Sequence, residues 1–134
     1  MTTTTTTTTT AVDRFLDGIR AGALPDGLYA PAATLDATVP GWRFQVCGGE
    51  AIAAEYAGWF THPSLLETVE RHPLEGGEVV RYLQTFEVDG QPHAVHHVHL
   101  LRITDDRIVA DTVFCGGRWG PELLAQIGPS AHAG

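Results

Sequence analysis

The chain has 134 residues, enough for one domain with a real hydrophobic core and too few for two. Its net charge of -8 works against nucleic acid and against anionic membrane surfaces, both of which are bound through positive charge. No long apolar run suggests a membrane span and no basic and apolar leader opens the chain, so the expectation is a cytoplasmic protein with a small neutral or apolar ligand.

The opening "MTTTTTTTTT", residues 1–10, is low complexity and reads as a tail. In "AVDRFLDGIRAG" the apolar residues Val12, Phe15, Leu16 and Ile19 recur at helical spacing, and Gly22 stops the pattern. A short helical turn is expected around "LPDGLYA". In "ATLDATV", Leu35, Ala37 and Val39 alternate with polar residues as in a half-buried strand, which Pro40 and Gly41 end. "PGWRFQVCGGE" reads as a loop in which Trp42 serves either as a lid or as core packing. "GGEAIAAEYAGWF" then places Ile52, Tyr56, Trp59 and Phe60 on one helical face.

After "THPS" the pattern alternates, giving four expected strands: about Leu65 to His72, Val79 to Val88, Gln91 to Ile103 and Arg107 to Cys115. Gly116 to Trp119 is expected to turn the chain, and "GPELLAQIG" to form a helix from Pro121 to Gly128. Cys47 and Cys115 form no metal or redox motif and are expected as buried reduced thiols. The expected organisation is a tail over 1–10, one domain over 11–128 and a flexible tail over 129–134.

The stretch "PHAVHHVHL" carries four histidines, and "VDGQ" fixes how they face. A two-residue turn at Asp89 and Gly90 sets Phe86 opposite His93, Gln84 opposite Val95, Tyr82 opposite His97 and Val80 opposite His99, all on one face. His96 alone falls behind. The back face keeps Leu83, Val98 and Leu100, an apolar surface that a second copy of the chain would cover, so a homodimer through the outer sheet face is expected. The "TDD" turn leaves two registers open. A three-residue loop sets His99 opposite Asp111 and His97 opposite Val113, whereas a two-residue loop sets Thr112 opposite His99 and sends Asp111 to the back.

These segments, from Ala11 to Trp119, resemble the NTF2-like superfamily, which includes ketosteroid isomerase, SnoaL-type polyketide cyclases, scytalone dehydratase and limonene epoxide hydrolase. "AVDRFLDGIRAG", "LYAPAATLDATV", "GGEAIAAEY", "FEVDG" and "RITDDRIV" each resemble the corresponding ketosteroid isomerase segment. The resemblance implies an α+β cone, helices packed on a strongly curved, mostly antiparallel sheet, with Tyr82, Gln84, His97, His99, Asp111 and Val113 pointing inward. It also implies that steroid isomerisation by that family's mechanism is absent: the tyrosine of the first helix falls on Phe15, the general-base aspartate on Ala37 and the oxyanion-hole aspartate on His99.

The expected site is a pocket walled by Phe15, Ile19, Tyr56, Trp59, Phe60, Gln84, Phe86 and Val113, rimmed by Trp42. Its chemistry would be cofactor-independent proton transfer next to a carbonyl, as in a lyase, isomerase or cyclase. His99 is the expected acid or base, Asp111 its orienter, Tyr82 a donor to a developing oxyanion, and His97 a further polar group. Two alternatives stand beside it: a non-catalytic ligand-binding or assembly module with structural histidines, and a metal held by His97 and His99, about 6.6 Å apart on one strand face. No metal or cofactor belongs to the first reading.

Overall fold

The computed structural model describes residues 10–132. The elements are α1 (Ala11–Ala21), β1 (Tyr29–Val39), β2 (Trp42–Cys47), α2 (Gly49–Trp59), β3 (Leu65–Leu74), β4 (Gly77–Val88), β5 (Gln91–Thr104), β6 (Arg107–Trp119) and α3 (Pro121–His132). The six strands form one curved open sheet, ordered β2-β1-β6-β5-β4-β3, in which only the β1 and β6 pair is parallel. Residues 1–9 of the expected N-terminal tail, and residues 133 and 134 of the expected C-terminal tail, lie outside the described residues.

Helix α1 forms as its apolar spacing predicts. The Thr10 hydroxyl accepts the Asp13 N–H at 3.2 Å, the Asp13 carboxylate accepts the Thr10 N–H at 3.0 Å, and Gly22 closes the helix in the left-handed region at φ 83°. Val12, Phe15, Leu16 and Ile19 are buried against the sheet core. In α2 the buried residues Ile52 and Tyr56 lie one turn apart, and Phe60, just past the helix, continues the stripe. The start of α2 lies so close to β1 that a Cβ on Gly49 would sit 2.7 Å from the Ala30 carbonyl oxygen.

Four expectations are corrected. "LPDGLYA" is not helical: Asp26 and Gly27 make a turn, Gly27 at φ 75°, and β1 already begins at Tyr29. "WRFQVC" is not a loop: a turn at Pro40 and Gly41 sets Trp42 opposite Val39, and the segment returns along β1 as β2. Strand β6 continues through Gly116 and Gly117 to Trp119. Helix α3 runs to His132 instead of ending at Gly128, so 129–132, expected as tail, is helical.

The β4 and β5 hairpin has the predicted register, with Phe86 opposite His93, Gln84 opposite Val95, Tyr82 opposite His97 and Val80 opposite His99. Asp89 at φ 52° and Gly90 at φ 75° both take the left-handed conformation that a primed two-residue turn requires. The next hairpin adopts neither expected register. Asp105 and Asp106, at φ 52° and 58°, make a two-residue turn with Thr104 opposite Arg107, and a bulge then pairs Arg102 with Ala110. The extra residue restores the inward direction of Asp111 but slides it to face Leu101, leaving His99 opposite Val113 and His97 opposite Cys115.

Candidate functional site

The inward row of β5 and its neighbours brings six polar side chains into one buried chain of hydrogen bonds. Asp111 lies at its inner end. Its Oδ2 accepts the hydroxyls of Tyr29 and Tyr56, both at 2.7 Å, and its Oδ1 lies 3.0 Å from His99 Nδ1. Tyr82 stands at the centre, its hydroxyl 3.0 Å from His99 Nε2 and 2.9 Å from His97 Nδ1.

One proton arrangement satisfies every contact of this chain with both imidazoles neutral. Burial, then the charge of Asp111, pushes the Tyr29, Tyr56 and Tyr82 phenols well above their ordinary range, so all three carry their protons. With two phenols donating to Oδ2, Asp111 is an acceptor, and His99 Nδ1–H donates to it. In the neutral Nδ1–H tautomer His99 offers a bare Nε2, which accepts the Tyr82 O–H. The Tyr82 oxygen is left to accept His97 Nδ1–H. Burial holds the His97 imidazole well below the ordinary histidine range, with the neighbouring His99 and His96 as smaller causes, so His97 is neutral and its Nε2 carries a lone pair. Among the described residues, that Nε2 is the one buried side-chain nitrogen or oxygen with no hydrogen-bond partner.

His97 is also where the buried chain meets open space. A cavity of about 330 Å³ is lined by His97, Trp59, Gln84, Phe86, Cys115 and Arg118, with Val39, Phe44, Gly58 and Val95 completing its wall. Trp59 stacks on the His97 ring, centroids 5.5 Å apart and planes at 30°, and Phe60 meets it edge-on at 6.0 Å. The rim gathers around Phe86, against which His62 and His93 both stack at 5.7 Å and over which the Arg118 guanidinium lies at 5.1 Å. Gln84 is anchored by its Nε2 donating to Ser64 Oγ at 2.8 Å.

The predicted site residues therefore divide into two groups. Trp59, Gln84, Phe86 and His97 line the cavity. Phe15, Ile19, Tyr56, Phe60, Tyr82, His99, Asp111 and Val113 are at most 2% exposed, and none of them lines the cavity; they form the packed interior behind His97. His99, the expected acid or base, is fully buried with both ring nitrogens in hydrogen bonds, and it does not line the cavity. Trp42 is 68% exposed at the turn into β2, neither packed in the core nor on the cavity wall. The cysteines are not buried as expected: Cys47 is exposed, and Cys115 is half-buried on the cavity wall, its thiol pushed up by burial. Where the metal alternative would place an ion between His97 and His99, the Tyr82 hydroxyl bonds both rings, and among the described residues no three His, Cys, Asp or Glu side chains gather as a metal site.

Tyr29, Cys115 and Arg118 were missed. Tyr29 sits before an irregularity in β1, with Pro31 exposed and the pairing to β6 shifted between Tyr29 and Thr34, so the alternation read from Leu35 does not extend to it. Cys115 and Arg118 required the true β6 register, in which they face His97 and Val95 across two bulges.

No protein-family model matches the chain, and no curated protein does. Solved structures do. An NTF2-like protein of unknown function from Mesorhizobium loti is 25% identical, with a TM-score of 0.62 over 80% of this chain and 88% of that one. A protein of ketosteroid isomerase-like fold from Catenulispora acidiphila, solved in complex with trimethylamine, is 16% identical, with a TM-score of 0.63 over 82% of this chain and 88% of that one. An NTF2-like protein of unknown function from Burkholderia xenovorans is 15% identical, with a TM-score of 0.54 over 87% and 88%. The chain has the NTF2-like, ketosteroid isomerase-like α+β cone fold, and these similarities support its place in the NTF2-like superfamily. No helix among the described residues is long and apolar enough to cross a membrane.

Proposed function

We propose that this chain binds a small, largely apolar organic molecule at the mouth of its cone and moves a proton on it, with His97 Nε2 as the accepting atom. The observation that carries this reading is that His97, whose buried Nε2 has no hydrogen-bond partner, forms part of the wall of a largely apolar cavity. A neutral imidazole in that position accepts a proton from a C–H next to a carbonyl or from a hydroxyl, and returns it elsewhere on the product. The reaction class is a cofactor-independent isomerisation, elimination or cyclisation.

A low-basicity histidine alone is a poor proton store, and the chain behind it supplies a better one. As Nε2 gains the substrate proton, Nδ1–H passes to the Tyr82 oxygen and the Tyr82 proton passes to His99 Nε2. The charge then rests on a His99 imidazolium against the Asp111 carboxylate, held by Tyr29 and Tyr56. In this reading His97 is the catalytic residue, while Tyr82, His99 and Asp111 position and stabilise it. The test is His97→Gln beside Tyr82→Phe against a panel of enolisable ketones, aldehydes and β-hydroxy carbonyl compounds. Turnover in the parent protein, reduced on the order of 10² to 10⁴-fold in both variants, is expected. Turnover undiminished in His97→Gln would end the catalytic reading.

A second reading uses the same cavity without chemistry. Extensive burial of the polar chain also suits structural histidines in a ligand-binding or assembly module. Ligand binding in the parent without turnover of any panel member, and with His97→Gln binding equally well, would favour it. In either case a homodimer through the outer face is supported by Phe114, 54% exposed, beside half-buried Leu83, Val98 and Leu100 on the same side of the sheet. A cytoplasmic setting agrees with two unpaired cysteines.

A further inference from the structure

We infer that the ligand of this cavity is an anion: a small carboxylic acid with an apolar body, its carboxylate held by Arg118 at the mouth. The inference rests on the proposed small-molecule reading and specifies its substrate class. Arg118 lies opposite Val95 on the inward side of β6, exposed, and lines the same cavity as His97. Among the described residues its guanidinium meets no carboxylate; its contact is with the face of Phe86 at 5.1 Å. That contact orients the planar fork without consuming its N–H donors, which remain available for a bidentate carboxylate.

The rest of the lining agrees. It contains no Asp or Glu; Glu67 and Glu87 lie along a neighbouring groove. The walls of Trp59, Phe44, Phe86 and Val39 suit an apolar body, and the unpartnered His97 Nε2 suits an acidic C–H or hydroxyl on it. The chain's net charge of -8 repels anions at long range, but salt screens that field within about 10 Å, so the nearest fixed charge decides what settles at the mouth.

Three probes of one shape separate charge from shape: phenylacetate, its neutral counterpart phenylacetamide, and phenethylamine as the cation. Each is titrated at pH 7.5 into the full chain, into Arg118→Gln and into Arg118→Lys. Kd is followed through the His97 imidazole and Trp59 indole NMR signals. The expected result is phenylacetate bound at least tenfold more tightly than phenylacetamide, the preference lost in Arg118→Gln, where acid and amide bind within about twofold of each other, and partly kept in Arg118→Lys. Equal binding of acid and amide, or preference for the amine, with the His97 and Trp59 signals still moving, overturns the anion inference and leaves the cavity reading standing. If no probe moves either signal at millimolar concentration, the cavity reading fails and the anion inference with it.

Discussion

His97 is a neutral imidazole by burial, and that makes it a source of acid sensitivity. Its folded-state affinity for a proton lies well below that of an unfolded histidine, near pH 6.5. The unfolded chain therefore binds more protons as pH falls below that value, and stability drops with it, by at most about 1.4 kcal/mol per pH unit for one group. His96, lowered by burial and by Arg81, adds a smaller contribution of the same sign. Urea unfolding at pH 7.5 and 5.0 should show the loss, and His97→Gln should lose part of the pH slope relative to the parent. An identical slope in the variant would mean that His97 is not buried as a neutral group. At Tyr56, removal of the hydroxyl in Tyr56→Phe withdraws one of three donors from a buried carboxylate. A cost of about 1–3 kcal/mol is expected in the same assay.

Among the elements, those with a strong local period were legible in the sequence. The face of α1, the stripe of α2 and the β4 and β5 hairpin all follow from spacing and one turn, and the hairpin set the inward direction of His97, His99 and Tyr82. What escaped depended on longer-range pairing. Strand β2 is short and more than half its residues are exposed, so its pattern carries little signal without β1 beside it. The bulge in β6 is set by the fit of the whole strand to β5, and each of the two registers that the sequence leaves open assumes none. The cavity itself was misplaced inward for the same reason: periodicity says which side chains face the cone, but not where the cone is filled. Contacts between elements give a further prediction. Asp106 accepts the Ala11 N–H at 2.8 Å and pairs with Arg14, tying the last hairpin to the start of α1. Asp106→Ala should lower stability in chemical denaturation, through the orphaned helix N–H and an alanine held at φ 58°, since an exposed ion pair adds little. Gly49→Ala should cost about 1–3 kcal/mol, because the added methyl must push α2 off the β1 carbonyls.

For the whole molecule, the outer face supports a prediction of assembly. Sedimentation at micromolar concentration should give a dimer, and Phe114→Glu, which sets a charge on the exposed ring's position, should shift it to monomer. A parent protein that sediments as a monomer would end the dimer proposal. The division between a sealed interior and an open mouth has a consequence for how such a protein changes over time. The groups that would carry a proton are walled off behind His97, whereas Phe44, Phe86, Val39 and Arg118 belong to the rim and touch none of Tyr29, Tyr56, Tyr82 or Asp111 by a hydrogen bond. Exchange of rim residues can therefore retune which molecules are admitted while the interior keeps its wiring. Divergence would be written at the entrance, and two descendants of such a chain could share every interior contact yet accept unrelated guests.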